Sequence, residues 1–475
     1  MSSVVLEKDD VVGGLSRTVR HGGFLFDIGG HRFFTKVKAV EDMWHEVLGQ
    51  DFLRRRRLSR IYYRKKFFFY PLKPANALFN LGVWNAVWIL VSYLKAQAFP
   101  GKPEETFEQW VSNRFGKRLY RIFFKTYTEK VWGIPCSEIT AEWAAQRIKG
   151  LSLLTALTSA FMKSKNPDKS ATIKTLIDAF DYPRLGPGQM WETVTRKVTQ
   201  QGTELRLGTD VAAILWKPNR VTGILTEKAG HREEIGGSHF VSSMPIRDLL
   251  QRFVPPVPDD VLKAATSLNY RDFLTVALVI RQPDLFPDNW IYVHDSDVKL
   301  GRIQNFKNWS PEMVPDPRKT CLGLEYFCFE GDGLWSMSDR ALIELGTREI
   351  EILGLAKASD VEDGAVVRMQ KAYPVYDSHY VDALRIVRGF TDGIENLQLV
   401  GRNGMHKYNN QDHSMLTAML AVKNILGGEH DLWGVNADQD YHEEVTGKEG
   451  GAHDLERVAS TQPHVPRRLE KSARR

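Results

Sequence analysis

The chain has 475 residues, of which 43% are hydrophobic, 11% aromatic and 26% charged, enough for two to three domain-sized cores. Its 24 Phe, 15 Tyr and 12 Trp exclude a disordered chain, its 37 aperiodic Gly exclude a collagen, and its three Cys exclude a disulfide scaffold. The net charge of +6 arises from 64 basic residues interleaved with 58 acidic ones, which permits an acidic substrate and calls for no nucleic acid.

Residues 3–7 (SVVLE) read as a short β-branched strand ending in an acidic residue. A Gly-rich turn, VVGGLSRT, and a second extended piece, GGFLFDIGGHRFF, follow it. From about Val37 to Asp181 the pattern reads as helical, through FEQWVSNRFGKRLYRIFFKTYTEK and an Ala/Leu-rich run from Trp143 to Met162, with a loop at 163–174. Between Lys73 and Lys95 lie 21 uncharged residues, long enough to span a bilayer. Pro74, Asn76, Asn80, Gly82, Asn85 and Ser92 interrupt them, so a buried helix, or contact of 77–94 with a membrane surface, is expected in place of a span. TELRLGTDVAAILWKPNRVTGILTE reads as a β-meander and SHFVSSMPI as a buried strand; mixed strands are expected over 270–328 and a helix over DRALIELGTREIEILG. The last folded unit is a strand, NLQLVGR, and a helix, MLTAMLAVKNILGG, ending at two glycines. Residues 440–475 lose apolar content and read as a disordered tail. Cys136, Cys321 and Cys328 form no C-x-x-C pair and no zinc spacing, so no metal site is expected and the thiols read as reduced, as in a cytoplasmic protein. The opening residues lack the basic and apolar regions of a signal peptide.

A strand ending in Glu7 is where a dinucleotide-binding fold presents a carboxylate to a ribose. Gly13 and Gly14 would let the backbone pass close to a pyrophosphate, and Arg17 would neutralise it. The GxGxxG that lies about 20 positions before such a carboxylate is missing. The expectation is therefore a gene beginning about 25 to 30 residues earlier, with a strand and that phosphate loop.

VVLEKDDVVGGLSRT followed by FDIGGHRFF resembles the second strand and following loop of the FAD-binding family that includes amine oxidases, protoporphyrinogen oxidases, phytoene desaturases and UDP-galactopyranose mutase. LQLVGRNGMHKYNNQDHSMLTAMLAV resembles that family's C-terminal flavin-binding strand, loop and helix. Within the family, FFKTYTEKVWG (123–133) resembles a mutase run, as do Gly301-Arg302 with Lys307, LEYF (324–327), GR…KY (401–408) and, more weakly, YPLKPAN (70–76). The resemblance implies an α/β fold: a split Rossmann-like FAD-binding domain (1–36, 182–248, 385–430) with an inserted α+β substrate domain of helices and a mixed sheet (37–181, 249–384). It implies FAD as cofactor, bound through Glu7, Gly13, Gly14, Arg17, Gly29, Gly30, Val211, Arg402, Ser414 and Met415. Arg302 and His31 take the catalytic places, with His31 beside the flavin ring. Tyr127, Trp132, Tyr326 and Tyr408 would bind a small-molecule substrate, expected to be a UDP-sugar isomerised through the reduced flavin.

Three departures accompany these matches. Loop 163–174 holds Lys163, Lys165, Lys169 and Lys174 where the mutase carries a second phosphate-binding arginine, and lysine lacks the bidentate fork. His406 replaces a tyrosine, and YPRLGPGQMWE (182–192) is closer to the oxidases. The alternative is accordingly a FAD-dependent oxidoreductase that removes hydride from a small organic molecule.

Overall fold

The computed structural model describes residues 2–70, 74–141, 175–176, 179–436 and 444–445. The segment 142–162, the lysine loop 163–174 and nearly all of the tail lie outside the described residues, as does part of 70–76.

A seven-stranded sheet runs in the order Val361–Pro374, Tyr270–Ile280, Thr320–Cys328, Arg302–Asn305, Trp290–Val293, Ser59–Tyr63, Lys66–Phe69. Its pairings are antiparallel except that of Trp290–Val293 with Ser59–Tyr63. Residues directly opposite each other share a face, so the register sorts the side chains. Tyr292 pairs with Arg302 and Arg302 with Glu325, while Trp290 pairs with Gln304, which puts a polar and aromatic set on one side. Ile291, Ile303, Leu324, Tyr326, Leu274 and Val276 alternate to the other side and form a core with Leu342 and Ile350 of the helix Asp339–Ile352. That helix starts at Ser338, whose hydroxyl accepts the Ala341 N–H at 3.3 Å.

The other half assembles from segments far apart in sequence. Val4–Leu6 pairs in parallel with Glu204–Arg206, and Phe240–Ser242 in parallel with Leu397–Leu399. The meander Asp210–Lys217, Arg220–Lys228, His231–Gly236 lies where the pattern put it. Helices Gly188–Gln200 and Gln411–Ile425 complete this half. The split α/β arrangement is therefore present, with its mixed sheet carried by the insertion.

Three expectations need correction. Among the described residues, the region read as helical contains five strands: Thr175–Leu176 and Ala179–Pro183 at its end and, earlier, Phe52–Arg56, Ser59–Tyr63 and Lys66–Phe69. The last two form a hairpin whose turn residues, Arg64 and Lys65, both have left-handed backbone (φ 50° and 58°) with no Gly or Asn to announce it. The strand Phe240–Ser242 is not buried, since Val241 is 48% exposed. The core of the parallel-strand half also takes in Val37–Phe52 and Ile246–Leu268, of which 37–52 and 249–268 were expected in the insertion. The uncharged stretch breaks at Gly82 (φ 81°) into helices Pro74–Leu81 and Val83–Ala98, and no described helix is long and apolar enough to cross a membrane.

Candidate functional site

The polar face of the large sheet is roofed by one helical run. Helix Phe107–Phe115 begins in a reciprocal cap between Thr106 and Gln109. Further along, the wider π turn Tyr120–Lys125 leads into Thr126–Trp132; such turns re-aim the side chains that follow them. The run stops at Gly133, in the left-handed region (φ 68°), where a Cβ would come within 2.5 Å of the Arg271 guanidinium. Arg271 reaches from the sheet to the carbonyls of Val131 (3.2 Å), Lys130 (3.4 Å) and Phe327 (2.9 Å), tying the helix end to the strands. Lys130 holds the carbonyls of Asp295, Leu300 and Val293. Tyr127 is thereby stacked on His294 (centroids 4.7 Å apart, 9° between planes) and set edge-on to Tyr292 at 5.5 Å. Buried Trp132 lies 6.3 Å from Tyr373 and 6.1 Å from Tyr408.

Below this roof, Arg302 places Nε and Nη2 on one oxygen of Glu325, each at 2.5 Å. Gln304 Nε2 donates to the other oxygen at 2.6 Å, so the fully buried carboxylate is satisfied on both sides. Burial would lower the Arg302 pKa, but Glu325 outweighs it and the guanidinium stays charged. Burial pushes the Tyr127 hydroxyl well above its usual range, which keeps it a proton donor.

The loop Gly29–Gly30–His31 approaches this cluster from the parallel-strand half. Gly29 is left-handed (φ 91°), and a Cβ on Gly30 would sit 2.8 Å from Gln304 Nε2. His31 Nδ1 is buried without a partner. Burial first, then the charges of Arg402 and Arg302, push its pKa down to about 3, so the imidazole is neutral at physiological pH. Arg402 bonds the carbonyls of Asn409 (2.8 Å) and Ala372 (2.9 Å) and lies 4.8 Å from the Tyr408 ring and 5.3 Å from the Tyr373 ring. Those two rings stack at 5.6 Å and 17°.

Two further features suit a large planar, anionic ligand. Gly13 and Gly14 are left-handed (φ 102° and 52°), and a Cβ on Gly14 would meet nothing within 4 Å. Helix Gln411–Ile425 opens at a cap shared by Asn410 and His413, and the Gln411 side-chain amide there is buried without a partner. An unsatisfied buried polar group costs roughly 1–3 kcal/mol, a cost that a ligand bonding to it removes. The residues present therefore fit a flavin nucleotide.

Of the residues singled out from sequence, Arg302, Tyr127, Trp132, Tyr408, Arg402, His31, Gly29 and Gly30 come together in this cluster. Glu7 stands at the end of its strand, its Oε1 accepting the Asp9 N–H at 3.0 Å, and Arg17 is paired to Asp9 at 2.7 Å. Val211 lies two residues beyond Thr209, whose N–H donates to the Glu7 carbonyl at 2.9 Å. Ser414 sits in the first turn of helix Gln411–Ile425. Two expectations fail. Tyr326 points to the opposite side of the sheet, fully buried, its hydroxyl donating to Glu349 at 3.1 Å. Met415 is buried in the core, its Sδ accepting the Trp44 indole N–H at 3.0 Å. Sequence reasoning missed Glu325, Gln304, Tyr292, His294, Tyr373 and Arg271. Alternation was the available signal: once Arg302 faces the site, Gln304 must, and so must Glu325 rather than Tyr326 opposite it.

Residues 1–408 match the model of the flavin containing amine oxidoreductase family. Among solved structures, reduced UDP-galactopyranose mutase superposes with a TM-score of 0.76 at 22% identity, over 89% of this chain and 88% of that one. A putrescine oxidase variant gives 0.57 at 15% identity, over 89% and 93%. A fatty acid isomerase from P. acnes that produces CLA gives 0.56 at 11%, over 89% and 92%. The fold thus hosts oxidation and isomerisation alike, and the chemistry must be argued from the site. With more than half its length matched by one family, the chain belongs to the flavin containing amine oxidoreductases and is an enzyme whose cofactor is FAD.

Proposed function

We propose that this flavoenzyme isomerises a nucleotide-linked sugar with its flavin reduced, by likeness to its structural neighbour, reduced UDP-galactopyranose mutase. The observation that carries the reading is electrostatic. Two guanidiniums, Arg302 and Arg402, act on His31 against the one carboxylate, Glu325, that pairs Arg302, so the cluster keeps a net positive charge, which favours an anionic diphosphate and opposes a protonated amine.

Glu7, Gly13, Gly14, Gly29, Gly30, Val211, Arg402 and Ser414 would hold the cofactor, with Arg17 contributing through its ion pair with Asp9. When bound and reduced, flavin supplies an electron-rich ring nitrogen that can act as a nucleophile. The chain's own groups do the rest. Arg302, kept charged by Glu325, receives the diphosphate and stabilises it as a leaving group. Tyr127 donates a hydrogen bond and keeps its proton, while Trp132 and Tyr408 give flat walls to the sugar nucleotide. His31, neutral, offers a buried Nδ1 without a partner and adds no charge. Tyr326 and Met415 have no part in this assignment.

The test is anaerobic. Oxidised protein given UDP-galactopyranose should do nothing; after dithionite it should turn over repeatedly with no further reductant consumed, because ring contraction is redox-neutral. Bleaching of oxidised flavin by a small organic substrate, with a need for an electron acceptor and no isomerisation of any UDP-sugar, would move the assignment to the oxidoreductase class.

A further inference from the structure

Helix Val83–Ala98 buries only Ile89 and Tyr93 against the helices beneath it. Asn85, Ala86, Ser92 and Ala96 are half-buried beside them, and much of the opposite face is apolar and open. Trp84 is 81% exposed and Trp88 57%, and Val83, Val87, Leu90, Val91 and Leu94 are exposed with them. Phe79, before the Gly82 break, and Phe99, after the helix, extend the surface at 87% and 78% exposure. Soluble monomers seldom show so large a contiguous apolar patch, and aromatic side chains with two Trp one turn apart are typical of a helix lying in a bilayer interface.

A basic rim borders it. The adjoining cleft of about 850 Å³ is lined by Arg64, Lys66, Lys95, Lys117, Arg118 and Arg121, with no carboxylate among its lining residues. Lys65 adds a further charge at the exposed hairpin tip beside them. This surface shares no residue with the aromatic and arginine cluster described above.

From the exposed tryptophans and this one-signed rim, we infer that helices Pro74–Leu81 and Val83–Ala98 dock the enzyme on an anionic lipid bilayer. The apolar side chains enter the acyl boundary and the lysines and arginines meet lipid phosphates. Membrane-bound lipid headgroups, and not free phosphate, are the ligand, since phosphate alone gains nothing from the tryptophans. Positive residues near an anionic leaflet add attraction that salt screens, whereas the apolar part resists salt. Binding should therefore weaken with salt without vanishing.

The test is co-sedimentation of the full FAD-loaded chain with vesicles of phosphatidylglycerol and phosphatidylethanolamine, compared with phosphatidylcholine alone. Wild type should pellet with the anionic vesicles at least about tenfold more strongly than with neutral ones. Trp84→Ser with Trp88→Ser, and separately Lys117→Glu with Arg118→Glu, should each lower binding about tenfold, with flavin absorbance and melting temperature unchanged. Arg340→Glu, on the distant helix Asp339–Ile352, should bind as wild type does. Failure of wild type to bind anionic vesicles overturns the inference, as does equal binding by the variants. Inorganic phosphate that competes off all binding would reassign the rim to a soluble anion. A wild-type dimer by equilibrium sedimentation that the tryptophan variant abolishes, with no vesicle binding, would assign the patch to a second copy of the chain.

Discussion

Asp27 is buried beside the site, accepting from the Tyr182 hydroxyl at 2.5 Å and from Thr18 at 3.2 Å. Burial outweighs both hydrogen bonds and pushes its pKa from 3.8 up to about 8. The folded state therefore keeps a proton that the unfolded chain has lost, and stability falls as pH climbs from about 4 to about 8, at up to about 1.4 kcal/mol per unit. Asp27→Asn should flatten that slope, read as the difference in urea midpoint between variant and wild type at pH 5 and pH 8; parallel slopes would show that Asp27 is already ionised in the folded protein. Arg302→Ala alone would strand Glu325 and should cost about 3–5 kcal/mol, whereas adding Glu325→Gln should recover most of it while still abolishing UDP-sugar binding. Equal melting temperatures for the single and double variants would mean that the pair carries no such strain. These two sites differ in legibility. Arg302 was visible as a motif residue, but Glu325 was hidden because LEYF offers a tyrosine that looks like the ligand, and only strand pairing reveals which of two neighbours faces inward.

Secondary elements were read well where period and punctuation agreed: the meander ends at turns, and helix Gln411–Ile425 ends at two glycines. The hairpin Ser59–Tyr63 with Lys66–Phe69 was missed because its turn uses Arg64 and Lys65, residues that tolerate left-handed backbone poorly. Its strands compensate through sheet pairing and through Asp295, whose carboxylate accepts the Arg64 N–H at 2.9 and 3.1 Å. Because that bond comes from the backbone, it survives substitution. Arg64→Asn with Lys65→Gly should thus stabilise the protein by roughly 1 kcal/mol, seen as a rise of a few degrees in melting temperature. A lowered melting temperature would mean that the two side chains contribute more than their backbone costs.

At the scale of the whole molecule, helices Lys38–Leu48 and Asp259–Ser267, expected in the insertion, and Ile246–Gln251, which straddles its expected boundary, pack on the parallel-strand core, a tertiary choice that amphipathic periodicity cannot reveal. Of the buried clusters, the two largest lie one around those helices and one under the large sheet. Part of what joins them is polar and sparse: Arg402 to the Ala372 carbonyl (2.9 Å), Asn403 to the Lys371 carbonyl (2.9 Å) and Lys371 to Asp248 (3.1 Å). The cradle residues His31, Arg402 and Gln411 stand at this junction with buried polar atoms unsatisfied in His31 and Gln411. FAD binding should therefore act as a clasp between the halves. Flavin-stripped protein should melt in two calorimetric transitions, and FAD at about 100 times its dissociation constant should add about 2.7 kcal/mol and draw the lower transition into the upper. Arg402→Ala should keep the transitions separate at the same FAD concentration, since it loses the Ala372 bond and, on the proposed function, a cofactor contact. A stripped protein that melts in one transition, unmoved by FAD, would show that the sheet and the glycine loops already hold the molecule together without the cofactor.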